Sequence, residues 1–166
     1  MMFQKFFQLV LSISLILTAV IFAQEMKPEA GKLFNEGNSL LKAGNYNGAV
    51  DKYDQALAIE KDYRIFYQKG VALKKADKLA DAKVAFEECL KLSPNNEAAL
   101  NALGGTFFSM GDYEKAIETF DKVLSNSKNN SVKDKVKKNM SLAYTKLGNQ
   151  AMSSGNANKA VEYLTK

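Results

Sequence analysis

The feature that most constrains this chain is a stretch that comes back. SMGDYEKAIETFDKVL (109–124) recurs, small and large residues in the same places, as KAGNYNGAVDKYDQAL (42–57), KADKLADAKVAFEECL (75–90) and SSGNANKAVEYLTK (153–166). A second block precedes each copy: LNALGGTFFSMG (100–111), LFNEGNSLLKAG (33–44), FYQKGVALKKAD (66–77) and YTKLGNQAMSSG (144–155). Self-similarity at such a period marks an array of like units, each burying its apolar face against the next. Within a unit, Leu33, Gly37 and Leu40, or Phe66, Gly70 and Leu73, recur at helical spacing. Ala49, Tyr53 and Ala56, or Ala116, Phe120 and Val123, repeat that spacing in the second half. Each unit is therefore expected to be a hairpin of two helices, and the chain all-α.

Gly37, Gly70, Gly104 and Gly148 occupy one mid-helix column. Glycine there costs about 0.5–1 kcal/mol relative to alanine, so four in register imply that the partner helix comes unusually close. Ala49, Ala82, Ala116 and Ala160 are the small residues expected on the other side of that approach. Tyr46, Leu79 and Tyr113, with Tyr53, Phe86 and Phe120, are expected to fill the space between successive hairpins; each contributes about 1.5–3 kcal/mol if fully buried. The column glycines lie 33, 34 and then 44 residues apart, so ten residues are added before the fourth copy. Residues 125–130 read as a loop, and Ser131 as the cap of a helix that begins at Val132 and runs into that copy. The last helix leaves Val161 and Leu164 with no following helix to cover them. Arrays of this kind need a polar cap, so a longer natural chain is expected.

These residues resemble the tetratricopeptide repeat, whose pattern the third copy carries as Leu100, Leu103, Gly104, Phe107, Gly111, Tyr113, Ala116 and Phe120. The second copy keeps Gly70, Ala82, Phe86 and Pro94 but has Asp77 and Leu79 where the others have glycine and usually tyrosine; the fourth has Ala157 and Leu164 in aromatic columns. The resemblance implies an α-solenoid, a right-handed superhelix of about four stacked hairpins: 30–62, 63–96, 97–130, an insertion over 131–140, and an incomplete fourth over 141–166. It further implies a concave groove lined by the first helices, at Phe34, Asn38 and Leu41, then Arg64, Tyr67, Lys74 and Lys75, then Asn101 and Phe108, then Thr145, Asn149 and Met152. In that groove Asn38, Asn101 and Asn149 are expected to hydrogen-bond a ligand main chain, and Arg64 and Lys74 to attract acidic groups. The bland alternative is that these are solvated helix faces. The carboxylate clamp with which some members hold chaperone tails is not expected, because Phe34, Ala98 and Ala102 stand where it uses basic groups and only Asn38 agrees.

Composition narrows the function classes. Histidine and tryptophan are absent and there is one cysteine, so histidine-based acid–base chemistry and the common zinc sites are excluded. No glycine-rich phosphate loop, paired-cysteine motif or nucleophile elbow occurs, so neither an enzyme nor a cofactor is expected. Residues 1–23 carry one charge, Lys5, ahead of an apolar run, and read as a secretory signal cleaved after Ala23, or as an anchor if uncleaved; residues 24–29 read as a short linker. Export to the periplasm or beyond is the expectation, with membrane contact only through an uncleaved leader. Loss of residues 1–23 takes the net charge from +5 to +4, too small an excess to imply nucleic acid. Lys128, Lys133, Lys135, Lys137 and Lys138, relieved only by Asp134, read as a solvated face, with an anionic surface as the alternative. Cys89 stands in a small-residue column and reads as an inert buried thiol. Asn129-Asn130-Ser131 and Asn139-Met140-Ser141 match the short glycosylation pattern, which matters only on a eukaryotic secretory route. The expected function is a scaffold for protein or peptide partners in the cell envelope. The alternatives are a self-assembling structural module and the repeat portion of a larger envelope protein.

Overall fold

Asparagine and aspartate side chains start most of the helices. Asn45, Asp62, Asn96, Asn129 and Asn156 each accept a hydrogen bond from a backbone N–H of the turn they precede, and Pro28 opens the first helix without needing one. The computed structural model describes residues 26–166, which form eight helices and no strand. The leader expected over 1–23 lies outside the described residues. The helices are α1 (Pro28–Lys42), α2 (Tyr46–Ile59), α3 (Tyr63–Lys75), α4 (Leu79–Leu92), α5 (Glu97–Met110), α6 (Tyr113–Asn126), α7 (Asn130–Ser153) and α8 (Ala157–Leu164). None of them is long and apolar enough to cross a membrane.

They pair as α1/α2, α3/α4, α5/α6 and α7/α8, and every pair turns by one device. Gly44, Gly111 and Gly155 stand in the left-handed region, at φ 80°, 84° and 74°, and Asp77 takes that place in the second pair at φ 59°. The next residue then donates its N–H back to a helix carbonyl: Asn45 to Leu40, Lys78 to Leu73, Asp112 to Phe107 and Asn156 to Ala151, at 2.9–3.0 Å. Carbonyls orphaned at each helix end are thereby satisfied. The sequence departure at Asp77 is thus a residue change within an unchanged turn.

Inside each hairpin the glycine column does something more specific than the sequence implies. A Cβ placed on Gly37 would lie 2.6 Å from the ring of Tyr53; one on Gly70, 2.6 Å from Phe86; one on Gly104, 2.6 Å from Phe120; and one on Gly148, 2.5 Å from Leu164. The glycines admit the large residue of their own partner helix. The expected partners, Ala49, Ala82, Ala116 and Ala160, are fully buried but are not what the glycines face. Tyr53, Phe86 and Phe120 therefore seat within their hairpins, and they anchor the two larger core clusters that run on to the neighbouring units.

Before the fourth hairpin the loop is shorter and the helix starts earlier than the sequence implies. α6 extends to Asn126 and α7 begins at Asn130, capped by the Asn129 side chain, which accepts from the backbone N–H of Ser131 and Val132. Ser131 lies inside the helix. α7 has 24 residues where the other first helices have 13 to 15, because Val132, Val136 and Met140 lay an apolar stripe on the core. Lys128, Lys135, Lys137 and Lys138 are exposed around that stripe and Lys133 is half-buried. On α8, Val161 and Leu164 are more than half or half exposed, at 62% and 50%.

Each second helix packs on the first helix of the next hairpin, and consecutive first helices also touch, whereas consecutive second helices do not. A stack whose α1, α3, α5 and α7 approach one another while α2, α4, α6 and α8 splay apart is curved, with the first helices on its inner side.

Candidate functional site

The inner face is built from one stripe of each first helix. Residues four and three apart share a face, so Phe34, Asn38 and Leu41 run along α1, Tyr67, Val71 and Lys74 along α3, Asn101, Gly105 and Phe108 along α5, and Thr145, Asn149 and Met152 along α7. Its large side chains are moored from beneath. Phe34 packs on Tyr53 and Tyr67 on Phe86, each with ring centroids 6.0 Å apart, and Phe108 meets Tyr113 edge-on at 5.2 Å. These rings are half-buried and pack against the core clusters.

The polar residues differ in how much they have left to offer. Asn38 accepts a 2.8 Å bond at Oδ1 from the Tyr53 hydroxyl, which fixes the amide and leaves its N–H donors for a ligand. Burial pushes the Tyr53 phenol up to about 12, so it stays a neutral donor. Arg64 is engaged locally. Its Nε reaches both Asp62 carboxylate oxygens at 3.0 and 3.1 Å and its Nη2 reaches Oδ2 at 2.6 Å, while Asp62 also caps α3. Burial raises the Asp62 carboxyl, but the Arg64 side chain and backbone N–H outweigh this and hold it below its usual value. The positive charge expected at Arg64 is thus largely balanced from its own helix start. Thr145 donates its hydroxyl to the Ser141 carbonyl at 2.9 Å, and Lys75 lies over the Tyr46 ring at 5.9 Å. Asn101, Asn149 and Met152 are exposed.

Lys74 behaves differently. Its side chain crosses from α3 to α5, where a Cβ on Gly105 would lie 3.0 Å from its Nζ. It is half-buried, and desolvation holds its ammonium below the usual lysine value. Gly105 is the groove residue that sequence reasoning missed. Its only signal was a glycine directly after Gly104, at a place where the repeat requires none.

A second cleft, of about 300 Å³, lies between α2 and the second hairpin and is lined by Val50, Asp54, Phe66, Lys69 and Val84 among others. Asp54 and Lys69 pair with each other there at 2.5 Å, so its central charges are mutually satisfied.

The profile described as Tetratricopeptide repeat matches residues 73–134, and a second profile of the same description matches residues 30–63. The chain belongs to the tetratricopeptide repeat family. This tetratricopeptide repeat chain is 34% identical over 100 residues to the Photosystem I assembly protein Ycf3 of Prochlorococcus marinus (strain NATL2A), covering 58% of this chain and 56% of that one. It is 28% identical over 96 residues to the Hsp70-Hsp90 organizing protein of Triticum aestivum, covering 57% of this chain and 16% of that one. Among solved structures, the Sgt2 tetratricopeptide repeat domain of Aspergillus fumigatus superimposes with a TM-score of 0.68 at 26% identity, over 77% of this chain and 83% of that one. The chain spans about half or less of the length of the curated relatives it matches, from 56% down to 12%.

Proposed function

We propose that this array is a non-catalytic interaction scaffold that holds an extended segment of a partner protein along the inner face of its first helices. The carrying observation is the continuity of that face. α1, α3, α5 and α7 touch in series, so Phe34, Leu41, Tyr67 and Phe108 offer moored apolar surface while Asn38 and Asn101 supply main-chain hydrogen-bonding groups between them. Apolar surface with a few placed polar groups is what peptide recognition uses. Similarity to relatives named for organizing or assembling other proteins supports this reading. The columns in which clamp-type members hold chaperone tails carry Phe34, Ala98 and Ala102, so the segment is not of that type. We place the scaffold in the cell envelope on the strength of the apolar leader over 1–23.

A photo-cross-linking side chain at Asn101, on the inner face, is compared in the source cell with one at Gln55, exposed on α2. Adducts from position 101 in the envelope fraction, with none from 55, are expected; equal yields from both positions would remove the groove reading.

A further inference from the structure

We propose that the cleft between α2 and the second hairpin, on the outer side of the array, seats Leu142 of a second copy of this chain, so that copies add head to tail. This is a second binding surface, turned away from the inner face. Phe66, Lys69 and Leu73 line it, and helical spacing puts them on the side of α3 opposite Tyr67, Val71 and Lys74. Two apolar residues that the repeat does not explain point to the contact. Val84 on α4 is 52% exposed, in a column where the other copies place Asp51, Glu118 and Glu162. Leu142 on α7 is 49% exposed, in a column where the earlier copies place Gly31, Arg64 and Ala98. A lone apolar residue is ordinary on a surface; what sets these two apart is the setting of each.

Val84 lines the cleft, of about 300 Å³, together with half-buried Val50 and Phe66 and buried Leu73 and Ala85. The cleft has a cause in the sequence. Lys69 stands in the column that Leu103 and Leu147 fill with buried side chains, and its ammonium turns to Asp54 at 2.5 Å. Space that leucine occupies elsewhere is left open, and a branched apolar side chain matches it. The charges around it lean negative. Lys78 is engaged by Asn47 at 2.8 Å, and Asp54 and Glu88 are paired with Lys69 and Lys91, but exposed Asp81 makes no ion pair among the described residues. Together α2, α4 and α6 carry eight carboxylates against five lysines.

Leu142 has the opposite setting. Lys135, Lys138, Leu142 and Lys146 follow at intervals of three and four residues, so they share one exposed side of α7. These lysines make no ion pair among the described residues, and α7 carries five lysines against one carboxylate. An exposed leucine flanked by unpaired cations and an apolar cleft with carboxylates at its edge are complementary in shape and in charge. The outer side is convex and the first-helix side concave, so the curvatures agree. Stripe and cleft are different patches of one chain; the contact is therefore heterologous, and each added copy presents a fresh cleft.

Sedimentation equilibrium of the natural chain from about 1 μM to 1 mM, the span of weak interfaces, is expected to show a mass that rises with concentration and passes the dimer without a plateau. Added salt should lower it. Val84→Glu gives the cleft the acidic residue that the other copies carry in that column, and Leu142→Asp breaks the stripe. Both positions are exposed, and unchanged circular dichroism and urea midpoints check that the fold is kept. Each variant alone should associate at least about tenfold more weakly, since burying one leucine carries that much. Mixed in equal amounts, they should recover association and stop at the heterodimer, because the first still offers Leu142 and the second still offers its cleft. Asp81→Lys and Lys138→Glu, both on exposed side chains, repeat the test by charge alone: each should weaken growth, and their mixture should restore it. A natural chain that stays monomeric through the range overturns the proposal. So does growth that both variants retain, a mixture no larger than its components, or a plateau at the dimer, which is what a two-fold contact through Val161 and Leu164 of α8 produces.

Discussion

The Tyr53 hydroxyl donates to Asn38 Oδ1 across 2.8 Å, so the residue that fills the first hairpin also holds a groove amide in place. Packing and recognition share one side chain there. Tyr53→Phe keeps the ring on Gly37 and removes only the hydroxyl. We expect a loss of about 0.5–1.5 kcal/mol in urea unfolding. Peptide binding should weaken through Asn38, whose rotamer is no longer fixed. Unchanged stability would mean that the bond exchanges freely with water.

Gly104 and Gly105 make a matched pair for testing what a Cβ costs. Both lie in α5, where alanine gains up to about 1 kcal/mol in helix propensity. At Gly104 the new Cβ meets the buried Phe120 ring at 2.6 Å, an overpacking that costs about 1–3 kcal/mol. At Gly105 it meets only the end of the flexible Lys74 side chain. Gly104→Ala should lower the urea midpoint and Gly105→Ala should raise it. Equal shifts for the two would contradict the seating of Phe120 on Gly104.

Asp77 holds the one non-glycine left-handed conformation among the described residues, at φ 59°. The other three turns place glycine there and make the same backbone bonds. Asp77→Gly should stabilise the array by a few tenths to about 1 kcal/mol, the relief of left-handed strain less the added freedom of the unfolded chain. Thermal denaturation that moves downward instead would show that the aspartate side chain stabilises this turn.

Cys89 is fully buried, and burial, with a smaller effect of the Asp62 charge, pushes its thiol up to about 11. An unfolded cysteine ionises near 8.5. The folded chain therefore keeps the neutral thiol through a window in which the unfolded chain ionises. The stability contributed by this group is complete below about pH 8.5 and is lost as pH rises toward 11. Urea midpoints should fall more steeply over that window for the natural protein than for Cys89→Ala, and iodoacetamide should label Cys89 only after unfolding. Parallel pH profiles would show that the thiol is not shielded.

Much of this was legible in the chain itself because it is local. Helical spacing, asparagine and aspartate at helix starts, and Gly44, Gly111 and Gly155 at the turns act within a few residues and repeat in register, so the class, the hairpin unit and the family pattern could be read from residue order. The start of α7 was misplaced by two residues because Asn129 and Ser131 are both good caps, and the choice between them depends on Val132 and Val136 finding the core.

What residue order determined about this protein is the repeated hairpin, since backbone preference and apolar spacing are properties of neighbours in the chain. What only the tertiary structure decided is which side chain each glycine admits, that Arg64 is held by Asp62, and that Lys74 comes to rest on Gly105, 31 positions away. Those outcomes depend on how closely one helix approaches another, a distance set by the packing of whole hairpins and encoded in no single stretch.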